Sequence, residues 1–172
     1  MDARRESEPT PMKNRTTVER KSERELVATR TINGPARLVF EAWTKPELFK
    51  RWWVPKSMGV TLLSCEMDVR VGGKYRLEFG HEASAQSMAF FGKYLEVIPN
   101  SRLVWTNDES ADGAVTTVTF EENSGKTLLV LHELYPSKEA LDGNIGSMDG
   151  MGETFEQLDE LLLTLGASEG RS

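Results

Sequence analysis

Apolar and polar residues alternate along most of the chain, and this period of two predicts β-strands. One alternating run covers residues 25–32, and six more follow Gly59, separated by the turn signals GG, PNS, ADG and NSG. The six later runs cover residues 60–71, 73–80, 86–99, 102–108, 114–122 and 126–135. Because short turns join neighbouring antiparallel strands, the pattern predicts a seven-stranded antiparallel sheet.

Three other stretches repeat their apolar residues every three or four positions, which is the helical period. Residues 36–43 and 44–53 predict two short helices directly after the first strand. Residues 137–144, which lead into the third stretch, are typical of a helical turn or a loop. The most periodic stretch is 146–165, where Met148, Met151 and Phe155 begin an apolar stripe. The fold class is therefore predicted to be α+β, with a strongly curved sheet that wraps around one long C-terminal helix.

The N-terminal stretch differs from the rest of the chain in having almost no apolar residues. Residues 1–22 mix Arg, Lys and Glu with Ser, Thr and Pro, a composition that cannot bury enough apolar surface to fold. We therefore expect a disordered tail over residues 1–22 and one folded domain over residues 23–168.

The charge balance is acidic, with 21 basic and 27 acidic residues and a net charge of -6. Nucleic-acid binding needs a basic face, so we expect no nucleic-acid partner. We also expect no membrane association, since no apolar run is long enough to span a bilayer. A single cysteine, Cys65, excludes an intramolecular disulfide and favours a cytoplasmic location.

Several blocks of sequence occur in the order used by one known family. They are VFEAWTKPELFKRWWVP (39–55), DVRVGGKYRLEF (68–79), GKYLEVIPNSRLVWT (92–106), LVLHELYP (129–136) and GMGETFEQLDELL (150–162). Together they resemble the proteins related to the activator of the Hsp90 ATPase, within the START and Bet v 1-like superfamily. The resemblance implies a helix-grip fold, in which the sheet holds the C-terminal helix and an apolar cavity lies between them.

The resemblance implies three functions, which the sequence leaves open. The first is binding of a small hydrophobic or aromatic molecule, the second is a reaction of the polyketide cyclase or dehydrase type, and the third is activation of the Hsp90 chaperone. We favour ligand binding, because the sequence contains no recognisable catalytic set. No cofactor is expected, and the sequence is compatible with a monomer or a homodimer.

The candidate ligand-binding residues are large apolar or aromatic side chains on the predicted inner faces, together with one histidine. They are Trp43, Trp52, Trp53, Tyr75, Leu77, Phe79, Met88, Phe90, Tyr94, Trp105, His132, Met148, Met151 and Phe155. Adjacent Trp52 and Trp53 cannot both point the same way from a helix. We expect Trp43 and one of these two to be buried, and the other to lie partly exposed beside the cavity mouth.

His132 is the only candidate catalytic residue. In the strand 126–135 it shares one face with Leu128, Val130 and Leu134, and if that face looks inward, the imidazole lies in the cavity. A structural histidine bonded to the backbone is the competing interpretation. His81 and Cys65 have no partners at metal-ligand spacing, so no metal site is expected, and Cys65 is interpreted as a buried apolar thiol.

Overall fold

The computed structural model describes residues 16–81, 87–144 and 150–170 of the 172-residue chain. Within these ranges the strands are β1 (Thr17–Ser22), β2 (Glu25–Ile32), β3 (Val60–Met67), β4 (Lys74–His81), β5 (Ser87–Ile98), β6 (Arg102–Thr106), β7 (Val115–Asn123) and β8 (Lys126–Leu134). The helices are α1 (Ala36–Thr44), α2 (Pro46–Phe49), α3 (Lys138–Asn144) and α4 (Met151–Gly170), and a 3₁₀ turn covers Lys56–Met58.

All eight strands form one antiparallel sheet, in the order β1-β2-β8-β7-β6-β5-β4-β3. From β3 to β8 each strand pairs with the next one in the chain. The last strand, β8, also pairs with β2, with Ala28 opposite Leu131, so the first and last segments of the sheet lie side by side. The predicted α+β architecture, with an antiparallel sheet and a C-terminal helix, is confirmed.

The sheet has eight strands rather than the seven that the sequence predicts. The additional strand, β1, lies at the end of the stretch assigned to the disordered tail and pairs with β2, with Thr17 opposite Thr29. All six of its residues are exposed, so hydrogen bonds between main chains hold this edge strand and no apolar pattern marks it. The tail prediction is therefore wrong for residues 17–22, and residues 1–15 lie outside the described residues.

The helix boundaries also differ from the predicted ones. The second short helix, α2, ends at Phe49, so Trp52 and Trp53 follow it instead of lying in it. The stretch predicted as a helical turn or a loop forms the short helix α3, whose buried residues are Ala140 and Leu141. The long helix α4 begins at Met151, and residues 145–149 at its predicted start lie outside the described residues.

Helix α4 packs on the inner face of the sheet through its apolar stripe, in which Phe155, Leu158 and Leu162 are fully buried. Leu162 lies so close to the turn after β2 that a Cβ added to Gly34 would come within 2.6 Å of its Cδ1. A buried ion pair fixes the same region, since Arg30 Nε and Nη2 each lie 3.1 Å from Asp159 Oδ2. Apolar contacts and one buried ion pair therefore hold the helix on the sheet.

Candidate functional site

Trp43, on α1, is the centre of a cluster of aromatic rings between the sheet and α4. Its ring centroid lies 4.8 Å from that of Trp52, 5.7 Å from that of Trp53 and 5.8 Å from that of Trp105. Trp43 is only 1% exposed, and its Nε1–H has no hydrogen-bond partner among the described residues. The rings of Trp52 and Trp53 meet the Trp43 indole edge-to-face, so its surroundings are aromatic and apolar.

The two adjacent tryptophans have different surroundings. Trp52 is fully buried and its Nε1 donates a hydrogen bond to the Ala42 carbonyl oxygen at 2.9 Å. Trp53 is half-buried and stacks on Phe49, with 4.9 Å between the ring centroids. The prediction that one of the two tryptophans is buried and the other partly exposed is thus confirmed, and Trp53 is the partly exposed one.

Polar side chains of α4 hold the backbone of the tryptophan segment, which we define as residues 52–57. Gln157 donates its Nε2 hydrogens to the carbonyl oxygens of Trp52 and Val54, both at 2.9 Å, and its Oε1 accepts from the Lys56 amide. Glu153 accepts hydrogen bonds from the Ser57 amide and hydroxyl, which lower the pKa of its carboxyl group. These bonds attach the wall that carries Trp53 to the N-terminal half of α4.

A cavity of about 60 Å³ lies beside this wall and opens towards solvent. The residues that line it are Trp43, Phe49, Trp53, Met67, Tyr75, Leu77, Phe90, Tyr94, Trp105 and Asn107. Aromatic and aliphatic side chains form nearly the whole lining, and none of these residues carries a charge. The volume is below the roughly 150 Å³ of an engineered cavity that accommodates benzene, so a single-ring ligand requires a wall residue to move.

Seven of the candidate residues from the sequence line this cavity: Trp43, Trp53, Tyr75, Leu77, Phe90, Tyr94 and Trp105. The side chains of Trp52, Phe79 and Phe155 are buried behind or beside it, and Met151 packs half-buried against the core. Met88 is 61% exposed, although it lies opposite the inward-facing Phe79. Met148 lies outside the described residues. Ligand contact by any of these side chains stays a prediction.

His132 does not lie in the cavity, because β8 presents the opposite face to the core. Leu129 and Leu131 are buried on the inner face, whereas His132 lies on the outer face with its Nε2 2.8 Å from Glu25 Oε2. The side chains of His132 and Glu25 are 31% and 37% exposed. The prediction of an inward-facing His132 is therefore wrong. Both faces of the central strand β8 are rich in apolar residues, so the sequence pattern does not determine which face packs on the core.

Three cavity residues, Phe49, Met67 and Asn107, are absent from the list predicted from the sequence. Met67 could have been found, because it lies two residues after Cys65 at the end of the same strand and pairs with Tyr75. Asn107 carries a weaker signal: it lies in the predicted strand 102–108 on the same face as Leu103 and Trp105, but its polar side chain did not suggest the wall of an apolar cavity.

Asn107 forms the polar end of the cavity. Its Nδ2 donates hydrogen bonds to the Ala114 carbonyl oxygen at 2.7 Å and to Thr116 Oγ1 at 2.9 Å. Its Oδ1 lies 3.1 Å from the Tyr75 hydroxyl, which also donates to the Thr106 carbonyl oxygen at 2.7 Å. Gly92 makes this approach of the strands feasible, because a Cβ there would lie 2.0 Å from the same Thr106 oxygen.

A carboxyl group continues this polar network away from the cavity. Glu133, on the inner face of β8, accepts hydrogen bonds from the Tyr135 hydroxyl at 2.8 Å and the Thr116 hydroxyl at 3.5 Å. Burial raises the pKa of Glu133 despite these two bonds. Burial also raises the pKa of Tyr75, and the carboxylates of Glu109, Asp108 and Glu133 add to this effect. The polar end of the cavity therefore favours neutral groups and hydrogen-bond donors over anions.

Glu133→Gln is expected to change how stability depends on pH. Because the folded protein holds the Glu133 proton more tightly than the unfolded chain, whose reference pKa is 4.5, the free energy of unfolding falls as pH rises from about this value through the raised pKa. The variant lacks this loss, so its stability relative to the wild type should increase over that interval. Urea unfolding between pH 4 and pH 8 measures the difference.

The matched control for this experiment is Glu156→Gln, which changes an exposed glutamate on α4. Its stability relative to the wild type should stay nearly constant over the same pH range. A Glu133→Gln difference that is equally flat would contradict the burial of the carboxyl group.

Other candidate chemistry is limited in the described part of the chain. Cys65 is half-buried with its Sγ 3.6 Å from Met67 Sδ, and burial raises the pKa of its thiol to about 11. The thiol is therefore protonated at neutral pH and is not an activated nucleophile.

Residues 16–81, 87–144 and 150–170 contain no group of three or more His, Cys, Asp or Glu that could hold a metal ion. In the same ranges, no helix is both long and apolar enough to cross a bilayer.

Comparison with known proteins gives a family and a set of similar structures. The family model described as "Activator of Hsp90 ATPase homolog 1-like protein" matches residues 33–163. A crystal structure of a protein from Nitrosomonas europaea is 26% identical, covers 86% of this chain and 99% of its own, and superposes with a TM-score of 0.75. No curated protein matches the sequence.

Two further structures show the same fold at lower identity. A protein from Rhodobacter sphaeroides is 20% identical, with 87% of this chain and 99% of that chain covered and a TM-score of 0.78. A protein from Aeromonas hydrophila, described as AHSA1-like, is 18% identical, with 81% and 94% covered and a TM-score of 0.66.

Proposed function

The chain belongs to the family of Activator of Hsp90 ATPase homolog 1-like proteins, and from this premise we propose that it binds a small hydrophobic or aromatic molecule. The site is the cavity between the sheet, the tryptophan segment and α1. The observation that carries the proposal is the lining of this cavity, in which aromatic rings from α1, β4, β5 and β6 meet at a solvent opening. A concave, mostly apolar site with a few polar groups is typical of small-molecule binding.

The two alternative functions have less support. A cyclase or dehydrase reaction needs an acid or base in the cavity, and His132, the proposed candidate, lies on the outer face. Activation of the chaperone needs an exposed partner surface, for which the sequence suggests Trp52, Trp53 and the charged N-terminal stretch, and of these Trp52 is 0% exposed. Ligand binding requires neither feature.

Titration with toluene, followed by ¹H–¹⁵N NMR of the tryptophan indole groups, tests the proposed function. Toluene should shift the Nε1–H resonances of Trp43, Trp53 and Trp105, which line the cavity. The Trp53 resonance should shift most, because this half-buried side chain must move to admit a ring. Trp52 provides an internal reference, since its Nε1–H is hydrogen-bonded away from the cavity.

Two methionine variants distinguish cavity binding from surface binding. Met67→Phe fills part of the cavity and should weaken toluene binding at least several-fold. Met88→Phe makes the same change on an exposed side chain that does not line the cavity and should leave the affinity unchanged. Absence of indole shifts at toluene saturation, or equal effects of the two variants, would refute binding in this cavity.

A further inference from the structure

The amide orientation of Asn107 is fixed by its surroundings. Its Nδ2 lies 2.7 Å from the Ala114 carbonyl oxygen, and a flipped amide would place two acceptor oxygens against each other there. Nδ2 also donates to Thr116 Oγ1 at 2.9 Å. The Thr116 hydroxyl donates its own hydrogen to Glu133 and so can only accept from Asn107. Asn107 Oδ1 is therefore held towards the Tyr75 side of the cavity end.

This end of the cavity has more acceptors than donors. The Tyr75 hydroxyl carries one hydrogen, yet it lies within hydrogen-bond distance of two acceptors, the Thr106 carbonyl oxygen at 2.7 Å and Asn107 Oδ1 at 3.1 Å. The shorter contact takes the hydrogen, which leaves Asn107 Oδ1 with no other donor among the residues that the structure describes. Asn107 is half-buried, so a ligand in the cavity can reach this acceptor, and a hydrogen bond formed there adds to the affinity.

The electrostatic surroundings select among donors. None of the residues that line the cavity is charged, and the carboxylates of Asp108, Glu109 and Glu133 all act to keep the Tyr75 hydroxyl neutral. A ligand carboxylate or phosphate placed here would be repelled and would find no cation among the residues that line the cavity. A neutral hydroxyl or N–H group meets neither obstacle.

We propose that the ligand is a neutral aromatic molecule carrying a hydrogen-bond donor, such as a phenolic hydroxyl, which donates to Asn107 Oδ1. Its ring lies among Trp43, Trp53 and Trp105, and its donor points to the polar end beside Tyr75. This inference rests on the proposed function, since it specifies the ligand class of the same cavity.

The test compares phenol with anisole, in which a methyl group replaces the hydroxyl hydrogen. Because size alone disfavours anisole in so small a cavity, toluene is the second reference: its methyl group is close in size to the hydroxyl, and burial of apolar area favours toluene over phenol. Tighter binding of phenol than of both anisole and toluene identifies the hydrogen bond. Phenol should bind to the wild type about tenfold more tightly than the compounds without a donor do, the factor expected for one hydrogen bond of roughly 1.4 kcal/mol. The readout is the NMR titration of the Trp43, Trp53 and Trp105 indole groups.

Two variants assign the effect to Asn107. Asn107→Leu removes the acceptor and should abolish the preference for phenol. Tyr75→Phe leaves Asn107 Oδ1 in place, so the preference should persist. Loss of the preference in Tyr75→Phe would instead assign the acceptor to the Tyr75 hydroxyl oxygen and contradict the inference, so this variant keeps the test informative if Asn107→Leu does not fold. Equal or tighter binding of toluene to the wild type overturns the inference while leaving the proposed function intact. If toluene, phenol and anisole all fail to bind, the proposed function itself is refuted.

Discussion

Asp159→Ala is expected to lower the free energy of unfolding by about 3–5 kcal/mol, because it leaves a buried guanidinium group without its counter-charge. Arg30 and Asp159 are only 7% and 6% exposed, and both Nε and Nη2 of the arginine bind Asp159 Oδ2. The substitution also removes the acceptor of the Asn33 amide, which lies 2.9 Å from Asp159 Oδ1. Urea unfolding followed by circular dichroism measures the loss.

Two comparisons separate the buried charge from the loss of packing. The double variant Arg30→Met/Asp159→Leu replaces the pair with apolar side chains and should recover much of the lost stability. Asp142→Ala removes an exposed partner of Lys138 and Arg20 and should cost far less, since water screens such pairs. If Asp159→Ala destabilised the protein no more than Asp142→Ala, the ion pair would not be important for docking α4.

Trp43→Ala should also cost about 3–5 kcal/mol, the range found when a buried aromatic side chain is truncated in a core. Trp43 lies within 6.5 Å, between ring centroids, of Trp52, Trp53, Trp105, Phe49, Phe120 and Phe155. Its removal leaves a void between α1, α4 and the sheet that these rings cannot fill without leaving their rotamers. Chemical denaturation at constant pH gives the value.

Trp53→Ala is the matched control, since it truncates the same residue type in the same cluster at a half-buried position. It should cost less stability than Trp43→Ala, and it should widen the cavity opening so that toluene binds without displacing an indole. Similar losses for the two variants would indicate that Trp53 belongs to the core and does not act as a movable wall.

The sequence predicted much of the fold because most elements carry a period that burial enforces. Strands β2 to β8 alternate, and α4 has a continuous apolar stripe. These features follow from local geometry alone. They sufficed to identify seven residues that line the cavity.

Other features depend on contacts that no local pattern encodes. Strand β1 is exposed along its whole length, so only its pairing with β2 shows that it is a strand. The orientation of β8 depends on its two neighbours, and this determined that Glu133, not His132, faces inward. The position of Asn107 depends on the close approach of β5 to the end of β6 at Gly92, which is a tertiary contact.

The hydrogen bonds from α4 to the tryptophan segment have a consequence for the rate of ligand exchange. The carbonyl oxygens of Trp52, Trp53 and Val54 all accept hydrogen bonds from Gln157 or Thr154, so the main chain on both sides of the Trp53 indole is fixed. The indole can then open the cavity by rotation about its own side-chain bonds, without displacement of a loop. Rotamer changes of partly exposed side chains occur much faster than loop motions. Ligands should therefore enter and leave rapidly, and their residence times should depend on their affinity and not on the rate at which the cavity opens.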